Sequence, residues 1–273
     1  MYFSSVLILP MTEENIKISF HLACYSKTYS LKFYMKKTIL TILLFFLLFS
    51  APLKGAVSDK AYITTVIPNA AKTSFVIPSI SAGAFISLGV SRIEIRHKQK
   101  IYEKPFLPDK VSHFCDSYIS DFWFVPVSGA GALLEGLKTD RYYEPFRYMV
   151  ASHAINLGFT YALKWGIRRT RPDETPFSFP SGHTSIAFTT ATLWYNWHGP
   201  AAGIPMYSLA FVTALSRIND KRHWPADVIF GAVLGTVTGR ALYLSEKNEK
   251  KKQSLTLVIP VLEIRFSTAD WDW

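Results

Sequence analysis

Five long stretches without a single Asp, Glu, Lys or Arg set the main constraint on how this chain can fold. Charged or proline-rich segments separate them, and they cover residues 73–91, 122–134, 148–163, 184–216 and 228–239. They are rich in Ala, Gly, Ser and Thr and lack the strict alternation of a half-buried strand, so they indicate apolar helices. Gly199-Pro200 divides the fourth stretch into two helices. We therefore predict an all-α fold, a helical bundle of about six core helices within residues 59–245.

The lengths of these stretches bear on whether the helices cross a membrane. Once the fourth stretch is divided, only residues 73–91 approach the roughly 20 residues that a spanning helix needs. Small residues permit close helix packing in water and in lipid alike. We expect a bundle that lies outside the inner membrane and at most rests on its surface, and a bundle that spans the membrane is the alternative.

Composition excludes several classes of protein and of site. The chain of 273 residues is 49% hydrophobic, which excludes a disordered or collagen-like chain. Two cysteines, Cys24 and Cys115, cannot build a disulfide framework, and no Cys/His cluster predicts a metal site. The net charge of +10 indicates anionic partners such as phosphates or lipid headgroups. We expect no metal and no cofactor, and no nucleic-acid partner, because the candidate cations converge on one small pocket and form no basic stripe.

The N-terminal region predicts a targeting segment. Lys36-Lys37 precede a dozen apolar residues and then small residues, which is the pattern of a secretory signal. This pattern begins at Met35, so we interpret residues 1–34 as a mis-called extension and residues 35–58 as a signal peptide or membrane anchor. Cleavage is expected after Ala56 or Ser58, and the protein is expected to be exported to the periplasm or to the cell-envelope membrane.

The last 28 residues, 246–273, predict an appendage. Residues 246–252 form a charged run that we interpret as a linker. Residues 254–266 are rich in β-branched side chains, which favour a strand, and Pro260 restricts that strand to the edge of a sheet. We therefore expect a short extended C-terminal arm.

Three short clusters each combine cations or histidines with a helix end. In the first, Lys164, Arg168 and Arg171 follow one another at spacings of four and three, which would align them on one helix face that Pro172 ends. Taken alone, this cluster is equally typical of a solvated basic helix end.

The second cluster is Pro180-Ser181-Gly182-His183, directly before an apolar helix. Ser181 is a natural N-cap, and Gly182 lets a ligand approach the backbone closely. A helix start of this kind offers free N–H groups to an anion. A capped helix with an incidental histidine is the alternative.

The third cluster runs from Ser216-Arg217 through His223 to Asp227 and opens another apolar helix. Pro225 fits the first helical position, which puts Asp227 in the first turn. From there its carboxylate can reach back to the His223 ring and fix the tautomer, although Asp227 could also simply cap the helix. Together, the clusters supply the groups for metal-free phosphoryl transfer: cations, an imidazole nucleophile and a separate proton donor.

The spacing of these clusters resembles the three-part signature of the type 2 phosphatidic acid phosphatase (PAP2) family. That superfamily also contains bacterial nonspecific acid phosphatases and vanadium haloperoxidases. The matching residues are Lys164-x6-Arg171-Pro172, Pro180-Ser181-Gly182-His183, and Ser216-Arg217-x5-His223-x3-Asp227.

The resemblance implies a role for each position. It implies that His223 attacks phosphorus and forms a phosphohistidine, that Asp227 orients its ring, and that His183 protonates the leaving oxygen. The residues implied to hold the phosphoryl group are Lys164, Arg171, Ser181, Gly182 and Arg217. The expected substrates are lipid or isoprenoid phosphates at a membrane surface. Two alternatives are a vanadate-dependent haloperoxidase and a non-catalytic protein that binds lipid phosphates on the same fold.

Overall fold

Helices account for all the regular structure in the part of the chain that is described. The computed structural model describes residues 57–120 and 122–266, with side chains to residue 252. Its elements are α1 (Asp59–Ala61), a π-helical turn (Tyr62–Val66), α2 (Ile67–Ala71), α3 (Val76–Arg96), α4 (Lys98–Ile101), α5 (Asp109–Ser120), α6 (Phe124–Thr139), α7 (Tyr143–Ile167), α8 (Gly182–His198), α9 (Pro200–Asn219) and α10 (Pro225–Phe266). Six of the described helices have 16 residues or more, namely α3, α6, α7, α8, α9 and α10, which confirms the predicted all-α bundle.

Helix α8 lies at the centre of the bundle. It contacts α5, α6, α7, α9 and α10, and its small side chains, mostly Ala, Ser and Thr, are buried on most of its surface. Two glycines of α10 bring that helix against the start of α8. A Cβ built on Gly231 would lie 2.7 Å from the Ser181 carbonyl oxygen, and one on Gly235 would lie 2.2 Å from that of Ser185. No larger residue fits at either position without separating the two helices.

The predicted helix starts are confirmed, and one predicted helix face is wrong. Ser181 caps α8 with its side chain, and Pro225 occupies the first position of α10. Helix α7, however, ends at Ile167, and Arg168 adopts a left-handed conformation with φ of 50°. Lys164, Arg168 and Arg171 therefore do not share a helix face. The helix ends before Arg168, whose left-handed conformation closes the last turn with an N–H donated to the Lys164 carbonyl at 3.0 Å.

Three of the described helices are long and apolar enough to cross a membrane. They are Val76–Arg96, Pro200–Asn219 and the part of α10 that covers Pro225–Lys252. The expectation that only residues 73–91 are long enough was wrong, because helices extend past the uncharged stretches into charged residues at their ends. Helix α3 also exposes large apolar side chains, including Ile77, Phe85 and Leu88, as expected for a surface that faces lipid.

The prediction of a linker and a short extended arm at the C-terminus was also wrong. Helix α10 continues without a break through the charged run and through residues 254–266, to Phe266. Extending an existing helix adds one hydrogen bond for each residue that is fixed other than Pro260, which has no N–H, whereas a new strand needs a partner strand. The β-branched residues therefore follow the helix that precedes them, because β-propensity depends on context.

The predicted leader overlaps the folded part of the chain by two residues. Val57 is buried against Tyr62 and Val66, and its carbonyl oxygen accepts a hydrogen bond from Arg147 Nη1 at 2.6 Å. Ser58 caps α1. Residues 1–56, which carry the predicted extension and most of the predicted leader, lie outside the described residues.

Candidate active site

The three clusters meet at one end of the bundle. Helix α7 contributes its C-terminal turn there, α8 its N-terminus, α9 its C-terminal turn and α10 its N-terminus. Two backbone hydrogen bonds tie the segments together: Ser181 N–H donates to the Asp227 carbonyl at 3.0 Å, and His223 N–H donates to the Arg217 carbonyl at 3.1 Å. The residues that the signature singles out therefore form one site, although up to 63 positions separate them in the sequence.

Lys164 and Arg171 line one side of this site. Lys164 Nζ donates to the Phe177 carbonyl at 2.7 Å. Burial, together with the nearby Arg171 guanidinium, lowers the pKa of Lys164 to about 7. Arg171 Nε is buried and has no hydrogen-bond partner among the described residues. An anion bound here would complete the hydrogen bonding of these cations and favour the charged form of the lysine.

The start of α8 supplies a further anion-binding element. The Ser181 side chain is fully buried and accepts a hydrogen bond from the Thr184 N–H at 3.5 Å. A Cβ built on Gly182 would meet Lys164 Cε at 3.9 Å, an ordinary contact distance, so the Gly182 backbone faces the lysine. The free N–H groups and the positive end of the helix dipole thus lie beside Lys164.

His183 and Arg217 share a carboxylate that the sequence analysis missed. Asp116 Oδ1 lies 2.5 Å from Arg217 Nη1 and 3.2 Å from His183 Nε2. Ser120 Oγ, one turn later on α5, lies 2.9 Å from the same His183 nitrogen. Burial lowers the pKa of His183, and the hydrogen bond to Asp116 opposes that shift. The proton affinity of His183 therefore depends on a residue outside the signature.

His223 is a buried and neutral imidazole. Its side chain is 4% exposed, and burial lowers the pKa of His223 to about 3, with Lys164 and Arg171 acting in the same direction. Asp227 Oδ2 lies 3.8 Å from His223 Nδ1, which is too long for a hydrogen bond, and Nδ1 has no other partner in the described part of the chain. Tyr102 holds the backbone beside the ring by donating its hydroxyl to the His223 carbonyl at 3.0 Å.

Asp227 is fixed in place by several donors. Arg169 Nη1 donates to Asp227 Oδ1 at 2.7 Å, the Trp224 N–H donates to Oδ2 at 2.9 Å, and the Ser178 hydroxyl also donates to Oδ2. The other arm of Arg169 donates to Glu94 on α3, whose second oxygen accepts the Ala226 N–H at 2.9 Å. The carboxylate beside His223 thus belongs to a buried network that joins α3 to the start of α10.

Arg169, Glu94 and Asp116 are the charged site residues that reasoning from the sequence missed. Arg169 lies between Arg168 and Arg171, and the sequence does not indicate which of these arginines turns inward. Glu94 and Asp116 lie outside the signature, on α3 and α5. A signal was present only for Glu94, an acidic residue in the last turn of an apolar helix, where the helix dipole disfavours a negative charge unless a cation lies nearby.

Comparison with known proteins relates part of the chain to a described family. The protein-family model described as PAP2 superfamily matches residues 145–251, which include every site residue that the signature singled out. Residues 145–251 belong to the PAP2 superfamily. This PAP2 segment supplies α7 to α10 and the loops between them, whereas Asp116 and Glu94 come from helices that precede it.

Curated relatives of the PAP2 segment bear the names of lipid and isoprenoid phosphatases. A lipid A 1-phosphatase of Porphyromonas gingivalis is 39% identical over 103 residues, which is 35% of this chain and 23% of the relative. A putative undecaprenyl-diphosphatase YbjG of Escherichia coli is 30% identical over 106 residues, 33% of this chain and 54% of the relative. A decaprenylphosphoryl-5-phosphoribose phosphatase of Mycobacterium tuberculosis is 36% identical over 99 residues, 32% of this chain and 51% of the relative. In each case the match spans less than two thirds of the relative's length.

One solved structure is also similar to the chain. A transmembrane PAP2 type phosphatidylglycerolphosphate phosphatase from Bacillus subtilis matches with a TM-score of 0.40 and 20% identity, over 78% of this chain and 96% of that one.

Proposed function

We propose that the protein is a metal-independent phosphatase that hydrolyses lipid or isoprenoid phosphates through a phosphohistidine on His223. The observation that carries the proposal is the buried, neutral His223 ring, with Asp227 beside its Nδ1 and with Lys164 and Arg171 acting on it electrostatically. A neutral imidazole has a lone pair available for attack, and cations beside it stabilise the charge of a phosphoryl group. The names of the relatives support the lipid or isoprenoid substrate class.

The proposed reaction has two steps. In the first, the His223 nitrogen that faces away from Asp227 forms a bond to phosphorus while the bond to the leaving oxygen breaks. His183, whose pKa the bound phosphoryl dianion raises, gives that oxygen a proton. In the second, the oxygen of a water molecule forms a bond to phosphorus while the bond from phosphorus to the His223 nitrogen breaks, His183 takes a proton from the water, and inorganic phosphate leaves. Lys164, Arg171 and Arg217, with the Gly182 N–H, hold the phosphoryl oxygens in both steps.

We further propose that the protein spans the cell-envelope membrane after export and that its site lies at the surface of that membrane. Three described helices have the necessary length and hydropathy, and the residues of the leader pattern precede them. Trp165 and Ile167 are exposed on the last turns of α7, beside Lys164. Exposed aromatic and apolar residues at this level are typical of the membrane–water interface, where they would bring the site to the headgroups.

The proposal is tested by phosphate release from a short-chain phosphatidate and from p-nitrophenyl phosphate, with EDTA present throughout. We expect the wild-type protein to release phosphate from the phosphatidate and the His223→Ala variant to release none. His113→Ala, an exposed histidine on α5, is the matched control and should keep wild-type activity. Activity that EDTA abolishes, or that survives in His223→Ala, would overturn the proposed mechanism. Folded wild-type protein that binds the lipid and releases no phosphate would overturn the proposed activity.

A further inference from the structure

Asp116 is the one described acidic side chain in contact with both His183 and Arg217. It lies on α5, where Cys115, Tyr118 and Ile119 anchor the helix by their burial. The backbone at Asp116 is therefore held in place. Its side chain is 51% exposed and has room to change rotamer.

The Asp116 carboxylate lies at one side of the proposed phosphoryl site. Its Oδ1 atom contacts Arg217, expected to hold a phosphoryl oxygen, at 2.5 Å, and His183, expected to protonate the leaving oxygen, at 3.2 Å. The other cations, Lys164 and Arg171, act on His223, on the side of the nucleophile. Because His183 is the proposed proton donor to the leaving oxygen, its contact with Asp116 at 3.2 Å puts this carboxylate beside the leaving group.

The two partners of Asp116 favour its negatively charged form. The hydrogen bond to His183 and the charge of Arg217 hold the pKa of its carboxyl far below the usual range. When substrate binds, a phosphoryl oxygen can replace the carboxylate on Arg217 after a side-chain rotation. Because α5 holds its backbone, the carboxylate stays close to His183 and to the leaving group.

The chemistry of the leaving group then determines what this charge does. The leaving group of a phosphomonoester is an alcohol, which is uncharged and can donate a hydrogen bond to a carboxylate. A lipid diphosphate releases the lipid monophosphate as its leaving group, which would place a negative charge against Asp116, and like charges in contact repel. The interaction is therefore neutral or favourable for the first class and repulsive for the second.

We propose that Asp116 is a specificity-determining residue that makes this site prefer lipid phosphomonoesters to lipid diphosphates. The inference rests on the proposed phosphatase function and goes beyond it by naming the substrate class. Neither the signature nor the fold of the PAP2 segment contains this residue, because it belongs to the helix that packs over the site from the N-terminal part of the chain.

Farnesyl phosphate and farnesyl diphosphate provide the test, because they share one lipid tail and differ only in the leaving group. We expect the wild-type protein to have the higher kcat/KM on the monophosphate. Asp116→Asn should raise kcat/KM on the diphosphate relative to the monophosphate about tenfold, or ~1.4 kcal/mol. Asp116→Glu, which keeps the charge, should keep the wild-type preference.

Asp220→Asn is the matched control. Asp220 Oδ2 also pairs with Arg217, at 3.0 Å, and its substitution likewise removes one carboxylate from that guanidinium. The inference predicts that Asp220→Asn changes the two substrates by the same factor. An equal change on both substrates in Asp116→Asn, or a wild-type preference for the diphosphate, would overturn the inference while the proposed function stood. Absence of hydrolysis of either substrate by folded wild-type protein would overturn the proposed function and the inference with it.

Discussion

Substitution of Arg169 by Ala tests the buried network that holds the proposed catalytic carboxylate. The guanidinium donates to Asp227 Oδ1 at 2.7 Å through one arm and to Glu94 through the other. The side chains of Glu94 and Asp227 are 1% and 0% exposed, so water does not replace the lost donors. The substitution therefore leaves two buried carboxylates with too few partners.

The size of the effect follows from these contacts. A hydrogen bond to a charged group contributes about 1.5–3 kcal/mol. Two such bonds are lost, while Asp227 keeps the Trp224 N–H and Glu94 keeps the Ala226 N–H, both at 2.9 Å. A loss of about 3–5 kcal/mol in the free energy of unfolding is expected, as for other buried pairs that lose one partner. For a domain of this size the loss corresponds to a fall of roughly 6–20 °C in the midpoint of thermal unfolding.

The assay is thermal unfolding of the purified protein in detergent micelles, with Arg168→Ala as the matched control. Arg168 is the neighbouring arginine, is exposed, and donates only from Nε to the Trp165 carbonyl among its described side-chain hydrogen bonds. The Arg168→Ala protein should unfold within about 2 °C of the wild type, since a surface substitution rarely changes stability by more than about 0.5 kcal/mol. An Arg169→Ala protein that unfolds at the same temperature as Arg168→Ala would refute the reasoning.

Two further predictions concern the anion site and the helix contact behind it. Because burial lowers the pKa of Lys164 to about 7, its charge is present below that pH and is lost above it. Inhibition of phosphate release by sulfate, whose own charge is constant in this range, should therefore weaken up to about tenfold for each pH unit above 7, and a constant inhibition constant from pH 6 to 9 would contradict the assignment. Gly235→Ala should destabilise the protein by about 1–3 kcal/mol, because its Cβ would lie 2.2 Å from the Ser185 carbonyl oxygen, whereas Gly182→Ala meets nothing closer than Thr160 Cγ2 at 3.6 Å. Gly182→Ala should keep the wild-type unfolding temperature in the same measurement, and equal destabilisation of the two variants would contradict the packing argument.

Local rules in the sequence were enough to predict the fold class and the helix starts that build the site. Uncharged stretches without alternation predicted helices, and six long helices are present among the described residues. Ser181 and Pro225 predicted where α8 and α10 begin, because capping and proline geometry act within one turn. These starts place His183 and Asp227 in the first turns of their helices.

The same local rules were wrong where a helix end depends on the chain around it. The uncharged stretches gave helices too short for a membrane, but α9 and α10 extend into charged residues and reach spanning length. Residues 254–266 have the composition of a strand, yet they continue α10. Extension of a helix is favourable once it exists, and composition within a short window carries no information about the helix that precedes it.

What the sequence by itself determined was the set of residues in the signature; what only the tertiary structure decided was their partners. Arg169 meets Glu94 across 75 positions of the chain, and Arg217 meets Asp116 across 101. Neither pairing follows from periodicity or capping, which act over a few residues. These contacts exist because α3 packs on α10 and α5 packs on α8 and α9, and that packing depends on the shapes of whole helix faces.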